Sequence, residues 1–303
     1  KTKELIRNKA SELGYDLNLM ASGLSRNKTN IIGVLIPAIN SHFFSLVVSG
    51  IDDVAHPAGY RVIIAQSNDS YLREQEVLRM FSATRVDGVI ACLSLETRDV
   101  THFDKIRKNG IPLVLFDRVS YQVDCPRIEA DNYDGAMQAV SHLIKTGCKR
   151  IAHLAGPMES RVFHERARGF QDALKNAGLP LYPGFLLSTD LSFKDTQEAM
   201  RLWLSLPEPP DAIFASGADS GLLITRMARE AGIDIPSKLA VVAFGNQPAN
   251  EYIVPALSSV EMPGYDMGQS AMRFLLNEID EHPARLQTSI KPVQLIIRNS
   301  SFR

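Results

Sequence analysis

The feature that most constrains this chain is a regular alternation of short apolar runs with longer amphipathic segments, which begins at Ile31. The first run, residues 31–36, is rich in β-branched side chains and is followed by Pro37, a pattern typical of a strand buried on both faces of a parallel sheet. Strands that alternate with helices of about 10–15 residues predict right-handed crossovers and parallel sheets. The pattern therefore predicts an α/β fold.

The alternation restarts near Asp131, and 303 residues are too many for one hydrophobic core, so we expect two lobes with doubly wound parallel sheets. The predicted strands are residues 31–36, 61–66, 86–92, 111–116, 150–155, 184–189, 211–216, 239–244, 257–262 and 293–298. The predicted helices are residues 43–58, 71–84, 133–145, 165–177, 194–206, 220–231 and 265–281. The predicted divisions are an arm at 1–30, a first lobe at 31–130 plus about 259–290, and a second lobe at 131–258 plus about 291–303.

The cysteine content and the length of the apolar runs bear on the compartment. The longest apolar runs are far shorter than the roughly 18–20 residues that a membrane-spanning helix requires. Cys92, Cys125 and Cys148 are odd in number and form no CxxC pair, which indicates free thiols in a reducing compartment. We therefore expect a cytoplasmic protein with no membrane partner.

The first 28 residues form a basic arm. They contain six lysine or arginine residues against three acidic residues, a net charge of +3, whereas the whole chain has −1 and the remainder therefore −4. Such an appendage is typical of a protein that contacts phosphate with one end, although a solvated helix with ordinary surface lysines gives the same charge. Residues 2–13 predict a short amphipathic helix that cannot bury its apolar face alone, and residues 18–25 predict a helix that forms only conditionally.

Ligands of parallel sheets bind at the carboxyl ends of the strands, so the residues after each predicted strand are the candidate site. Phe43 and Phe44 follow the first strand; we expect Phe43 to join the helix core and Phe44 to stack on a flat or sugar-like ligand. Asp117 and Arg118 end the fourth strand, where a ligand-binding pair and a salt bridge between the lobes both fit the pattern.

Later strand ends add further candidates. Arg166 is predicted in the first turn of a helix, where the helix dipole disfavours a cation. We interpret it as a bidentate grip on a ligand carboxylate or hydroxyl pair, with an ordinary surface arginine as the alternative. Asp219 is expected to cap a helix, and Asn246 to offer donors and acceptors to a polyol.

The sequence lacks the common catalytic and metal-binding motifs. The chain contains no HExxH, no GxxxxGK and no GxSxG motif, and its seven histidines form no pair at metal-ligand spacing. We therefore expect neither enzymatic activity nor a metal or cofactor.

Several short segments together form a specific match to a known protein family, although each segment alone is weak evidence. They are residues 12–15 (ELGY), 29–37 (TNIIGVLIP), 43–44 (FF) with 50–51 (GI), 85–90 (RVDGVI), 147–152 (GCKRIA), Arg166 with 169–170 (GF), and 255–259 (PALSS). Over essentially its whole length the chain resembles the LacI/GalR family of bacterial transcription regulators. The resemblance implies periplasmic-binding-protein-like lobes after the remnant of a helix-turn-helix headpiece and a hinge, with residues 2–13 as the last headpiece helix.

The resemblance also implies the binding residues. Leu24 resembles the hinge leucine that wedges into the minor groove and kinks operator DNA. The predicted DNA contacts are Asn18, Ala21, Ser22 and Leu24. With the strand-end candidates, the predicted effector site comprises Phe44, Asp117, Arg118, Ser160, Arg166, Leu191, Phe193, Ala218, Asp219, Gly245 and Asn246.

This sequence also departs from the family pattern. Leu17 replaces the usual proline before the hinge, and Ser22 and Gly23 weaken the hinge helix. Gly245 stands where an aspartate often binds the effector. Leu191 stands where an aromatic ring often stacks, and Phe193 is close enough along the chain to substitute for it.

The implied mechanism is that of a homodimer. A small, polar, sugar-related effector changes the angle between the paired first lobes, and the hinge helices form or melt with that angle. Residues 43–58 and the apolar surface after Tyr71 are the expected dimer interface, with core packing as the alternative. The competing class is a periplasmic sugar-binding protein, which shares the two-lobe core but needs no basic arm. An enzyme on the same sheets ranks third.

Overall fold

The computed structural model describes Lys9, residues 28–280 and residues 287–302. The strands are β1 (Ile31–Ile36), β2 (Arg61–Gln66), β3 (Gly88–Ala91), β4 (Leu113–Phe116), β5 (Arg127–Ala130), β6 (Ile151–Ala155), β7 (Leu186–Ser188), β8 (Ala212–Ala215), β9 (Ala240–Phe244), β10 (Ser258–Glu261), β11 (Thr288–Lys291) and β12 (Gln294–Ile296). The helices are α1 (His42–Ala55), α2 (Tyr71–Ala83), α3 (Thr101–Lys108), α4 (Asn132–Lys145), α5 (Arg161–Asn176), α6 (Phe193–Leu204), α7 (Ala218–Glu230), α8 (Ala249–Tyr252) and α9 (Gly264–Ile279).

The first sheet has the strand order β11-β5-β4-β3-β1-β2, and all its pairings are parallel. The side chains of β1 divide between two cores: Ile32, Val34 and Ile36 pack with α1 and α9, whereas Leu35 packs on the opposite face with Phe81. The prediction that this strand is buried on both faces is confirmed.

The second sheet has the order β12-β10-β9-β8-β6-β7, and only β12 runs antiparallel to its neighbour, β10. One face packs with α4 and α5, and the other forms a core with α6 and α7 around Trp203, which is fully buried. The predicted α/β fold with two parallel-sheet lobes is confirmed.

The chain passes between the two sheets three times. It first passes after β5, then returns after β10 through α9, and then leaves β11 for β12 with only Pro292 and Val293 between them. Ser259 and Val260 pair with Ala243 and Phe244 of β9, so the second passage follows β10. The predicted domain boundaries, including the one at about residue 259, stay a prediction.

Two glycines allow α1 and α9 to pack closely. A Cβ atom on Gly268 would lie 2.0 Å from the carbonyl oxygen of Val47, and one on Gly50 would lie 2.1 Å from that of Tyr265. Any larger residue would push the helices apart, so much of α1 is committed to packing within the chain. The expected role of α1 in a dimer therefore rests on its exposed face alone.

Four elements were not predicted from the sequence, namely α3, β5, α8 and β11. β5 reads Arg-Ile-Glu-Ala and lacks an apolar run, yet Arg127 and Glu129 are both buried. Arg127 donates to the carbonyl oxygen of Ser120 at 3.0 Å, and Glu129 accepts from Arg161 at 3.2 Å. Buried charged side chains whose partners lie elsewhere in the sequence cannot be recognised from hydrophobic periodicity.

Asp87 fastens the start of β1 to the first lobe. Its Oδ1 atom accepts from the backbone N–H and the hydroxyl of Thr29, both at 2.8 Å, and its Oδ2 atom accepts from the N–H of Asn30 at 2.8 Å. The helices predicted at residues 2–13 and 18–25 lie outside the described residues. So do the predicted DNA contacts Asn18, Ala21, Ser22 and Leu24.

Among the described residues, every helix falls short of the length and apolar character needed to cross a lipid bilayer. Cys92, Cys125 and Cys148 are free and buried, as expected from their spacing.

Candidate functional site

A cavity of about 380 Å³ lies between the carboxyl edges of the two sheets. Its volume is in the lower part of the range of about 300–1,000 Å³ that is typical of small-molecule sites. The polar and charged side chains that line it are Asn40, Ser41, His42, Asp69, Asp117, Arg118, Arg166, Ser216, Asp219, Ser220, Asn246, Gln247 and Glu261. The topology thus brings together polar residues that lie far apart in the sequence.

The loop after β1 and the first turn of α1 form one wall. The side chains of Phe43 and Phe44 both line the cavity, and Phe44 is the more buried of the two. The Phe44 ring meets Phe116 edge-on, with centroids 6.2 Å apart. Phe43 packs against the core as expected, and Phe44 combines core packing with a place on the cavity wall. Its stacking on a ligand stays a prediction.

Asp117 is buried at the end of β4, where its backbone has a positive φ of 58°. Its Oδ2 atom lies 3.8 Å from the thiol of Cys92, and no stronger donor to this carboxylate is found in the described part of the chain. Burial raises the pKa of Asp117, and the positive charges of Arg118 and Arg166 oppose that rise. The carboxylate is therefore placed to accept a hydrogen bond from a donor inside the cavity.

Arg118 forms an ion pair with Asp69, which follows β2 in the same lobe. The backbone N–H of Leu95 also donates to Asp69, at 3.0 Å, so the carboxylate is held in place. The alternative of a salt bridge between the lobes is wrong for Arg118 in this structure, because Arg118 is already paired within its own lobe.

Arg166 is held by three protein groups of the second lobe. Its Nε donates to Asn132 Oδ1 at 2.8 Å, its Nη1 to the carbonyl oxygen of Ser216 at 2.7 Å, and its Nη2 to Met262 Sδ at 3.6 Å. The guanidinium carbon also lies 3.6 Å from the centroid of the Phe244 ring. The surface-arginine alternative is wrong, since the side chain is buried.

The expected position of Arg166 in the first turn of its helix is also wrong, because α5 begins at Arg161. Burial lowers the pKa of Arg166 to about 9, and Asp117 acts in the opposite direction. The guanidinium therefore stays charged at neutral pH, but two of its three nitrogens already bind oxygen atoms of the protein. Nη2 has the weakest protein contact of the three, to Met262 Sδ, and is the nitrogen best placed to bind a ligand.

Two carboxylates and two amides form the rim of the second lobe. Asn246 Nδ2 donates to Glu261 Oε1 and Gln247 Nε2 donates to Asp219 Oδ1, each at 2.9 Å. Asn246 Oδ1 also accepts from the hydroxyl of Ser259 at 3.0 Å. The expectation that Asp219 caps α7 is wrong, because the helix begins at Ala218 and Gly217 takes the cap position.

Gly245 and Ala218 meet at the floor of this rim. Gly245 has a φ of +103°, and a Cβ atom there would lie 3.3 Å from that of Ala218. An aspartate would therefore be strained at this position. The acidic groups on this side of the cavity come from Asp219 and Glu261 instead.

Two predicted site residues do not reach the cavity. Ser160 is the residue before α5 and lines a separate pocket of about 160 Å³, and Phe193 is the first residue of α6 with 60% of its side chain exposed. Ser192 caps α6 by accepting from the N–H of Asp195 at 3.1 Å, which starts the helix at Phe193 and leaves the ring in solvent. Leu191 does line the cavity.

Several lining residues were not predicted from the sequence. Asp69 and Glu261 follow or end strands, so the strand-end rule applied at β2 and β10 would have identified them. Phe163 and Met262 carry no comparable polar signal.

His153 lies behind this wall on β6 and is fully buried. Its Nδ1 donates to the carbonyl oxygen of Phe214 at 2.9 Å, and its Nε2 faces the hydroxyl of Ser216 at 3.4 Å. Burial lowers the pKa of His153 to about 4, so the ring is neutral near pH 7. It supports Ser216, whose carbonyl oxygen accepts from Arg166.

Comparison with known proteins agrees with this geometry. Residues 140–301, more than half of the chain, match the family described as the periplasmic binding protein-like domain. The chain belongs to this family. Among related sequences, catabolite control protein A of Priestia megaterium is 29% identical, over 99% of this chain and 90% of its own length. The HTH-type transcriptional repressor CytR of Escherichia coli (strain K12) is 28% identical, over 99% and 87%.

Among solved structures, the transcriptional regulator CelR–cellobiose complex is similar with a TM-score of 0.82 and 26% identity, over 99% of this chain and 90% of that chain. Within the family, the chain thus has the effector-binding domain of a LacI/GalR-type transcriptional regulator. CytR is named a transcriptional repressor and CelR a transcriptional regulator, and these relatives confirm both the predicted resemblance and the expectation of a non-enzymatic protein.

Proposed function

We propose that this regulator binds a small, polar, sugar-related effector in the cavity between its lobes and transmits the binding to operator DNA through the hinge. The observation that carries the proposal is the cavity itself, which has a buried acceptor at Asp117 and a guanidinium at Arg166 on facing walls. The cellobiose complex of CelR, with 26% identity, supports a sugar-related ligand.

The effector proposal is tested by thermal-shift measurements on a panel of sugars with the wild type and with Asp117→Asn. The substitution keeps the shape of the side chain but removes the charged acceptor, so a ligand that stabilises the wild type is expected to stabilise the variant less. Asp124→Asn is the matched control, since Asp124 lies in an exposed ion pair with Arg107. A sugar that stabilises all three proteins equally would place the binding site elsewhere.

The path from ligand to DNA is the second part of the proposal. β1 follows Thr29 and Asn30, which Asp87 binds, and it leads to Ser41, His42 and Phe44 on the cavity wall. One strand therefore connects the arm to the cavity. The arm before β1 is basic, and the relatives named as repressors support a DNA-binding role. We assign the DNA contacts to Asn18, Ala21, Ser22 and Leu24, and the site of action to the cytoplasm.

The DNA proposal is tested with the full-length protein and fragments selected from a random DNA library. Leu24→Ala is expected to reduce bending of the selected fragment, measured by fluorescence energy transfer between its ends, because the inserted side chain is lost. Leu181→Ala, at an exposed position of the second lobe, serves as the control. If Leu24→Ala bends the DNA as much as the wild type does, the proposed role of the hinge in DNA bending would be contradicted.

We further propose a homodimer through the edge of the first sheet. β2 is an edge strand, and Ile63 and Ile64 on it are 37% and 40% exposed. Leu72, at the start of α2, is 66% exposed and continues the apolar surface. Sedimentation analysis is expected to show dimers for the wild type and monomers for Ile64→Glu. Ile297→Glu, at an exposed isoleucine of the second lobe, is expected to stay dimeric, and a dimeric Ile64→Glu variant would contradict the proposal.

A further inference from the structure

The balance of charge around the cavity is unequal. Four carboxylates line it, from Asp69, Asp117, Asp219 and Glu261, against only two guanidinium groups. Asp69 is neutralised by its ion pair with Arg118, and Arg166 is the nearest remaining cation for Asp117. The surplus therefore lies with Asp219 and Glu261 on the rim of the second lobe.

Both rim carboxylates are exposed to solvent. Each accepts a hydrogen bond from a neutral amide, Asp219 from Gln247 and Glu261 from Asn246. In the part of the chain that the structure describes, no lysine or arginine forms an ion pair with either carboxylate. Because the two amides are neighbours in the loop after β9, both carboxylates are held at the same side of the cavity.

Asp117 is a second, independent indication. It is 94% buried, as its side chain is only 6% exposed, and it lines the cavity with a thiol 3.8 Å away as its only side-chain donor in the described residues. A buried carboxylate without a good donor is costly, and a ligand that brings N–H or O–H groups removes that cost. The cavity thus offers surplus acceptors and surplus negative charge to the same ligand.

From these observations we infer that the effector is a polyhydroxylated compound with a protonated amine, the chemical class of amino sugars. Its hydroxyl groups face Asp117 and Arg118, and its ammonium group lies toward Asp219 and Glu261. A neutral polyol would leave the two exposed rim carboxylates without a counter-charge, and an anionic sugar acid or sugar phosphate would add repulsion. This inference rests on the proposed effector site and specifies its ligand.

The inference is tested by calorimetric titration of the full chain with matched ligand sets. Each set contains a neutral sugar, its 2-amino derivative, the N-acetylated amine and the corresponding sugar acid, for example glucose, glucosamine, N-acetylglucosamine and gluconate, with the galactose and mannose series in parallel. In one series the free amine is expected to bind about fivefold more tightly than its neutral parent, which corresponds to two exposed ion pairs. N-acetylation is expected to remove this preference because it removes the charge.

A double variant, Asp219→Asn with Glu261→Gln, provides the structural control. It is expected to reduce the preference for the amine to less than about twofold. Glu198→Gln, which removes an exposed carboxylate on α6 that lies 3.9 Å from Lys194, is expected to keep the preference of the wild type. The melting temperature without ligand reports whether each variant folds.

The possible results separate the two claims. Equal or tighter binding of a neutral sugar, with the expected loss in Asp117→Asn, would overturn the amine inference and leave the proposed function standing. Tighter binding of the sugar acid would overturn the inference, because it would show that the cavity prefers a negatively charged ligand. A panel in which no sugar or amino sugar binds would overturn both.

Discussion

Arg166 donates from Nη1 to the backbone carbonyl oxygen of Ser216 at a distance of 2.7 Å, and this bond ties α5 to the residue that follows β8. The same guanidinium satisfies Asn132 and covers the Phe244 ring. Arg166 is therefore part of the framework of the second lobe as well as part of the cavity wall. It differs in this respect from a side chain whose hydrogen-bond donors are free to bind a ligand.

We expect Arg166→Ala to lower the free energy of unfolding by about 3–5 kcal/mol, because it leaves Asn132 and the Ser216 carbonyl without their donor. Arg166→Lys is expected to recover little, since an ammonium group cannot reach both acceptors in the planar geometry of a guanidinium. Urea denaturation measures both changes. Arg226→Ala, at an exposed ion pair with Glu230, is the control with an expected change below about 1 kcal/mol. A similarly small change for Arg166→Ala would contradict the structural role.

The contact between α1 and α9 leads to a second prediction. Gly268→Ala places a Cβ atom 2.0 Å from the carbonyl oxygen of Val47, so we expect a loss of about 2–3 kcal/mol of folding free energy from overpacking. Gly217→Ala is the matched control, because a Cβ there meets its nearest neighbour at an ordinary 3.6 Å. Thermal denaturation of the two variants compares them directly. Equal stability of both would show that the helices can separate at little cost.

His153 predicts a dependence of stability on pH. Its pKa is about 4 in the folded protein and about 6.5 when unfolded, so between these values only the unfolded state takes up the proton. The contribution of His153 is thus complete above about pH 6.5 and is lost as the pH falls to about 4, in total about 3 kcal/mol. Urea denaturation across this range in the wild type and in His153→Gln measures it. We expect a shallower pH dependence in the variant, and equal slopes would contradict the assignment.

Asp87 predicts how firmly the arm is joined to the first lobe. Asp87→Ala removes the acceptor of the Thr29 and Asn30 amides, so we expect faster hydrogen exchange at these two amides and a loss of about 1–3 kcal/mol of stability. Asp124→Ala, which removes an exposed ion pair, is expected to change neither by a comparable amount. Unchanged exchange at Thr29 in Asp87→Ala would mean that other groups hold the junction.

The central strands were largely predictable, because both faces of a parallel sheet are buried there and these strands are therefore apolar throughout. β1 begins and ends at the predicted residues, 31–36, and the exposed edge strand β2 also matches its prediction at 61–66. β5 and β11 escaped prediction because they lie at or next to the sheet edge and contain charged residues such as Arg127 and Lys291. Their strand character depends on partners that are distant in sequence.

The candidate site was predictable in its location and less so in its details. The strand-end rule and the family resemblance together identified nine of the lining residues, among them Asp117, Arg166 and Asn246. Neither could show that Arg166 is bonded to Asn132 and Ser216, since these contacts join residues 34 and 50 positions apart. The prediction that Phe193 lines the cavity was wrong, because the hydrogen bond from Asp195 to Ser192 starts α6 at Phe193 and leaves its ring exposed.

The three passages of the chain between the sheets have a consequence for how such regulators diversify. Neither sheet is built from one continuous piece of sequence, since β11 completes the first sheet and β12 the second. An exchange of one lobe between two relatives would therefore need three joints at matched positions, at residues near 131, 262 and 292. A single recombination event produces a hybrid sheet instead. New ligand specificity is thus more accessible through substitutions at strand ends than through shuffling of whole lobes.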